Sequence, residues 1–169
     1  MSKQLTKLTQ VIVTFMIIIA IVVVNGTNIE LVSANKSDNQ TIEELTHEEI
    51  IDVTNRFREL LIQDIDEHYR VTDFNTKEDL LNAFTEVTTK ELASNYVDYY
   101  YIEQEEALYI LPTEAPPGFI PGNDYNMIQL SETEFVIQQT NFSYIYGEYT
   151  LEINFTYEAD WKITNMQVK

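Results

Sequence analysis

A chain of 169 residues with no cysteine has no disulfide, no thiolate nucleophile and no sulfur-ligated metal or iron–sulfur cluster. Ten Lys and Arg against 28 Asp and Glu give a formal net charge of −18. Without the first 34 residues, which hold Lys3, Lys7 and Glu30, the balance is 8 against 27, or −19. A surface of that sign repels phosphate backbones and excludes nucleic acid as a partner. The charge then serves solubility, or steers the protein toward a basic partner or a divalent cation.

Residues 1–34 read as an address. Met1 to Lys7 is a short basic start, and Val11 to Val24 (VIVTFMIIIAIVVV) is apolar except for Thr14. That length suits a signal h-region and falls short of the ~20 residues a simple spanning helix needs. Val32-Ser33-Ala34 offers a cleavage point after Ala34. The long interval before it leaves an uncleaved anchor, extended back to Leu8, as the alternative. Membrane contact is expected through this segment only. Residues 35–44 read as a polar tether, and 45–169 as a single domain, large enough to bury a core unaided.

The domain opens with helices. Thr46 to Glu49 (THEE) fits a capping box, followed by Ile50, Val53, Phe57, Leu60, Leu61 and Ile65 on one apolar face. Thr76 to Asp79 starts a second helix that buries Leu80, Leu81 and Phe84. Thr88 to Glu91 caps a third that carries Leu92 and Tyr96.

Strands follow. Ala107 to Leu111 is a short apolar run. Tyr125 to Leu130 and Glu134 to Thr140 flank a polar turn and read as a hairpin. From Tyr149 to Tyr157, apolar and polar residues alternate, which requires a sheet with one buried face. Ala159-Asp160 turns the chain into a last strand, Trp161 to Val168, with Trp161 and Ile163 on one side. The expected fold is α+β, with N-terminal helices packed on a curved antiparallel sheet of about four or five strands.

Between Leu111 and Tyr125 lie all four prolines (Pro112, Pro116, Pro117, Pro121) with Gly118 and Gly122. Proline denies ladder hydrogen bonds and fixes φ, so this is a stiff loop presenting Phe119 and Ile120 near Glu114 and Asp124. It is either a recognition element or a strand connector.

Chemistry-bearing patterns are sparse. Asp64 and His68, read as one helical turn apart, form a two-ligand pair, short of a metal site. No nucleophile elbow, phosphate loop or HExxH occurs, and carboxylates are too numerous for any pair to stand out. No catalytic residue, metal ligand or cofactor is assigned. The tyrosines are more distinctive. Tyr99, Tyr100 and Tyr101 join the two halves, and Tyr109, Tyr125, Tyr144, Tyr146, Tyr149 and Tyr157 follow. They line either an amphipathic core or a binding groove. Glu103, Glu105 and Glu106 add acidity next to them. The sequons Asn141-Phe-Ser143 and Asn154-Phe-Thr156 are also present, with Asn154 read as solvent-facing.

The succession Tyr69 to Leu81 (YRVTDFNTKEDLL), Thr88 to Tyr96 (TTKELASNY), a short strand, a proline loop and a closing Trp161-Lys-Ile163 resembles IseA-type inhibitors of cell-wall DL-endopeptidases. More distantly it is similar to NTF2-like α+β cones. The resemblance spans about residues 45–168. It implies a non-enzymatic, exported protein of Gram-positive type that docks on a cell-wall hydrolase with a basic cleft, where acidity favours fast, specific association. The residues it implicates by location are Glu103, Glu105, Glu106, Glu114 and Asp124. Tyr99, Tyr100, Tyr101 and Phe119 join them from the residue reading. The alternative is a small-ligand or cell-surface binding domain that uses a tyrosine-lined groove.

Overall fold

The computed structural model describes residues 44–169, and Thr46 begins the first helix among them. Its hydroxyl accepts from the Glu49 N–H, and the Glu49 carboxylate accepts from the Thr46 N–H at 2.7 Å. Helix α1 (His47–Leu61) buries Ile50, Val53, Phe57 and Leu61. It stops at Leu61, so Ile65 does not belong to its apolar face; Ile65 is exposed and bridges Val71. The cause lies just beyond, where Asp66 Oδ1 accepts from the His68 and Arg70 N–H groups at 2.8 and 3.0 Å. Such side-chain turns compete with helical hydrogen bonding. Asp64 and His68 therefore lie in a turn and are not stacked on a helix. Among the described residues, no group of three or more His, Asp or Glu is placed to hold a metal.

Helix α2 (Lys77–Phe84) is capped by Thr76 and buries Leu80 and Phe84. Helix α3 (Lys90–Tyr100) is capped by Thr89, one residue later than the sequence predicts. Thr88 is drawn elsewhere: it is buried and donates its hydroxyl to the Ile163 carbonyl at 2.6 Å.

The chain then forms a two-stranded sheet, β1 (Tyr101–Gln104) with β2 (Ala107–Ile110). A four-stranded antiparallel meander follows: β3 (Asn126–Ser131), β4 (Glu134–Ser143), β5 (Gly147–Tyr157) and β6 (Trp161–Val168), paired in that order. Among the described residues the architecture is α+β, with three helices and an open antiparallel sheet. Phe135 and Ile137 of β4, Leu151, Ile153 and Phe155 of β5, and Trp161 and Ile163 of β6 join Ile50, Phe57, Leu80, Phe84 and Val97 in one core. Each such fully buried side chain contributes about 1.5–3 kcal/mol of transfer free energy.

The opposite face of the sheet is polar. Glu152 accepts from Lys169 at 2.8 Å and Gln138 at 2.9 Å, and Thr140 pairs with Thr150 at 3.2 Å. Asn154 lies on this side but is not simply solvent-facing. Its Oδ1 is buried with no hydrogen-bond partner among the described residues.

These residues belong to one compact unit, Ile42–Lys169. No helix among them is long and apolar enough to cross a membrane. The leader (1–34) and all of the tether except Glu44 lie outside the described residues.

Candidate functional site

The tyrosine run straddles the end of α3 and the start of β1: Tyr99 and Tyr100 point about 100° apart on the helix, and Tyr101 is the extended cap residue that opens the strand. Tyr101 goes inward, 1% exposed, and donates its hydroxyl to the Leu61 carbonyl at 2.8 Å. Burial raises its pKa well above the usual phenol value. Tyr99 goes outward, 64% exposed, and Tyr100 lies half-buried between them.

From the core, rings follow one another to the surface. Phe84 meets Phe57, Phe57 meets Tyr96 at 5.2 Å, Tyr96 stacks on Tyr100 at 6.4 Å, and Tyr100 meets Tyr99 edge-on at 4.8 Å. Burial raises the Tyr100 pKa, as do the neighbouring phenols of Tyr99 and Tyr146. Tyr146 comes from the tip of the β4–β5 hairpin, so two elements distant in sequence meet here. It packs edge-on against Tyr149 at 6.1 Å.

That tip is the most exposed apolar feature of the described chain. Phe142 is 67% and Tyr144 100% exposed, in edge contact with each other at 5.9 Å, and Ile145 and Tyr146 are exposed beside them. The turn is tightened by Ser143, whose hydroxyl accepts from the Tyr146 N–H at 2.9 Å. Gly147 follows at φ +71°, a conformation that disfavours any side chain. Strand β5 begins at Gly147, two residues before the alternation from Tyr149, and the tip places Tyr144 and Tyr146 on the surface together with Phe142 and Ile145. The signal for this tip was available in Gly147 after a polar Ser143, but an aromatic run reads first as core.

The proline loop reaches the same surface at one end, where Tyr100 donates its hydroxyl to the Glu114 carbonyl at 3.3 Å. Its other end is pinned to β4. The Ile120 N–H donates to Gln139 Oε1 at 2.8 Å, and Gln139 Nε2 donates to the Ile120 carbonyl at 2.9 Å. Asn123 Nδ2 donates to Asn141 Oδ1 at 2.7 Å. Asn141 is thus a buried anchor with its amide already engaged to Gln139 at 3.1 Å, which leaves the Asn141 sequon covered. Phe119 packs edge-on against Tyr125 at 5.4 Å, and the Tyr125 hydroxyl hydrogen-bonds His47 Nδ1 at 3.0 Å. Asp124 is exposed between them.

The remaining acidic residues lie elsewhere. Glu105 and Glu106 form the two-residue turn of the β1–β2 hairpin, both with positive φ, 50° and 60°. Four residues of strand place them about 13 Å from Tyr101. Glu103 accepts from the Lys77 N–H at 2.9 Å and so serves the start of α2. The structure brings together Tyr99, Tyr100 and Glu114; it does not bring Glu103, Glu105 and Glu106 to them.

From Glu91 to Trp161 the chain carries 13 Asp and Glu and not one Lys, Arg or His over 71 residues. The aromatic tip, the proline loop and β1 to β5 all fall in this stretch. The carboxylates with displaced pKa values are both displaced downward. Asp66 is lowered by the His68 and Arg70 N–H groups, and Glu152 by the Lys169 and Gln138 hydrogen bonds. A general acid at neutral pH requires the opposite displacement. Two surface clefts measure about 470 and 490 Å³. A more enclosed space between α1 and residues 116–119 measures about 30 Å³, far below the ~300–1,000 Å³ of ordinary ligand pockets. The chain matches no protein-family model and no curated protein.

Proposed function

We propose that the chain is an exported, non-enzymatic protein that binds a basic partner through the aromatic surface of Tyr99, Phe142, Tyr144, Ile145 and Tyr146. Its resemblance to IseA-type proteins points to a cell-wall DL-endopeptidase as that partner. The observation that carries this reading is the fully exposed ring of Tyr144 at a hairpin tip within a 71-residue stretch devoid of positive charge. Exposed aromatic clusters are the residues that anchor protein interfaces. Uniform negative charge around them accelerates encounter with a positive cleft. Rings that approach Lys or Arg side chains gain cation–π attraction as well.

A second reading, a domain that holds a cell-surface polymer, draws on the same exposed rings. A small-molecule binder would have to use one of the open clefts of about 470 and 490 Å³, neither of which is lined by a tyrosine.

Digestion of peptidoglycan by a DL-endopeptidase, with and without the purified protein, tests the proposal. Dose-dependent slowing that weakens as salt rises is the expected result. Unchanged digestion at saturating protein, at both low and high salt, would overturn it for the enzyme used.

A further inference from the structure

The two edges of the four-stranded sheet differ. At β6 the edge is covered at Ile163: its N–H donates to the Val87 carbonyl at 2.9 Å, and its carbonyl accepts from the Thr89 N–H at 3.3 Å and the Thr88 hydroxyl at 2.6 Å. At β3 the edge is open. All six residues of the strand are exposed, and no backbone hydrogen bond reaches its outer side from any described residue. Native sheets ordinarily protect such an edge with lysine, proline or a covering segment. Here β3 reads Asn-Met-Ile-Gln-Leu-Ser, with no charge and no proline, and Leu130 is 59% exposed.

We infer that the β3 edge accepts an extended, basic segment of another protein as a fifth strand, independently of the aromatic tip. Main-chain ladder bonds would supply the affinity and alternate side chains the specificity. The two sides of β3 define what those side chains must be. On the core side Met127 and Gln129 lie opposite Ile137 and Phe135. A cleft of about 490 Å³ opens there, lined by Met127, Gln129 and Phe135 with the carboxylates of Glu44 and Glu132. On the other side Ile128 lies opposite Val136. An incoming strand therefore meets Met127, Gln129 and the carboxylates of Glu44 and Glu132 on one side, and Ile128 on the other. The matching pattern alternates Lys or Arg with Val, Ile or Leu.

A second copy of this chain fits the edge poorly. Antiparallel self-pairing centred on β3 would set Asp124 of one copy beside Glu132 of the other at both ends of the pair. Like charges directly opposite on paired strands are destabilising.

The test is fluorescence polarisation of the full chain against a labelled decapeptide of alternating lysine and valine. Two further versions are N-methylated, one at the lysines and one at the valines, so that each loses the N–H groups of one edge without losing charge. Saturable binding that weakens at least tenfold for one N-methylated version, and at least tenfold for Ile128→Lys with an unchanged far-UV spectrum, is the expected result. Leu130→Lys serves as a second variant should Ile128→Lys fail to fold. Equal binding of all three peptides would reduce the contact to charge alone and overturn the inference, as would no saturable binding. A dimer of the free chain in sedimentation that Ile128→Lys dissolves would assign the edge to a second copy and overturn it too.

Discussion

Gln139 treats Ile120 as a neighbouring strand would: its amide accepts from the Ile120 N–H at 2.8 Å and donates to the Ile120 carbonyl at 2.9 Å. The side chain sits at a core-facing position of β4, in line with Phe135 and Ile137, and is fully buried. A loop stiffened by four prolines offers few donors of its own. One glutamine thus supplies the ladder contact that the loop lacks.

Replacing Gln139 with Leu is expected to lower stability by about 1–3 kcal/mol, because it strands the Ile120 N–H and carbonyl in a partly buried place. Urea unfolding checks the magnitude. Amide exchange at Ile120 should accelerate well before global unfolding.

The buried Tyr101 hydroxyl sets an alkaline limit. Removing it in Tyr101→Phe loses the 2.8 Å bond to the Leu61 carbonyl and is expected to cost about 1 kcal/mol at neutral pH. The phenol's pKa is raised in the folded chain, so above the ordinary phenol value near 10 the unfolded chain binds fewer protons than the folded one. Its stabilising contribution is present below that pH and is lost as pH rises toward the folded value. Thermal melts between pH 9 and 11 should fall more steeply for the parent than for Tyr101→Phe.

Glu152 acts at the other end of the scale. Its pKa is lowered by the hydrogen bonds from Lys169 and Gln138. The stabilisation is therefore present above the unfolded carboxylate value, about 4.3, and is lost as pH falls through the folded one. Glu152→Gln is expected to melt below the parent at pH 7, with the gap closing in acid. A gap that persists unchanged at pH 3 would contradict the assignment.

Much of this was legible from residue order. Thr46 with Glu49, and Thr76 with Asp79, announced their helices, and the alternation from Tyr149 to Tyr157 announced β5. Strand β1 was hidden because its turn is Glu105-Glu106. Two carboxylate residues at positive φ replace the Asn-Gly signal that marks such hairpins. The end of α1 was hidden because Asp66 breaks the helix through a side-chain turn, while the apolar spacing runs on to Ile65. The anchoring roles of Gln139 and Asn141 were hidden, because their partners lie 16 to 19 residues away across the proline loop. The aromatic surface was half-legible. Tyr99, Tyr100 and Glu114 stood out as candidates and Tyr144 and Tyr146 as members of the tyrosine set, whereas Phe142 and Ile145 did not.

The N-terminal cap gives a simple check of the helical half. Thr46→Ala removes the bond from the Glu49 N–H to the Thr46 hydroxyl while the Thr46 N–H keeps its bond to the Glu49 carboxylate, and it is expected to destabilise by about 1 kcal/mol. Thr46→Ser should restore most of that loss, measured by chemical unfolding of the two variants beside the parent.

The most direct test of the aromatic surface is a comparison of the parent with Phe142→Ser/Tyr144→Ser/Ile145→Ser in the DL-endopeptidase digestion assay. These side chains are exposed, so unfolding free energies should agree to within about 0.5 kcal/mol at each position. The parent is expected to slow digestion, and the variant to need at least tenfold more protein for the same effect. Equal potency of the two proteins would remove the aromatic tip from the interface and contradict the account.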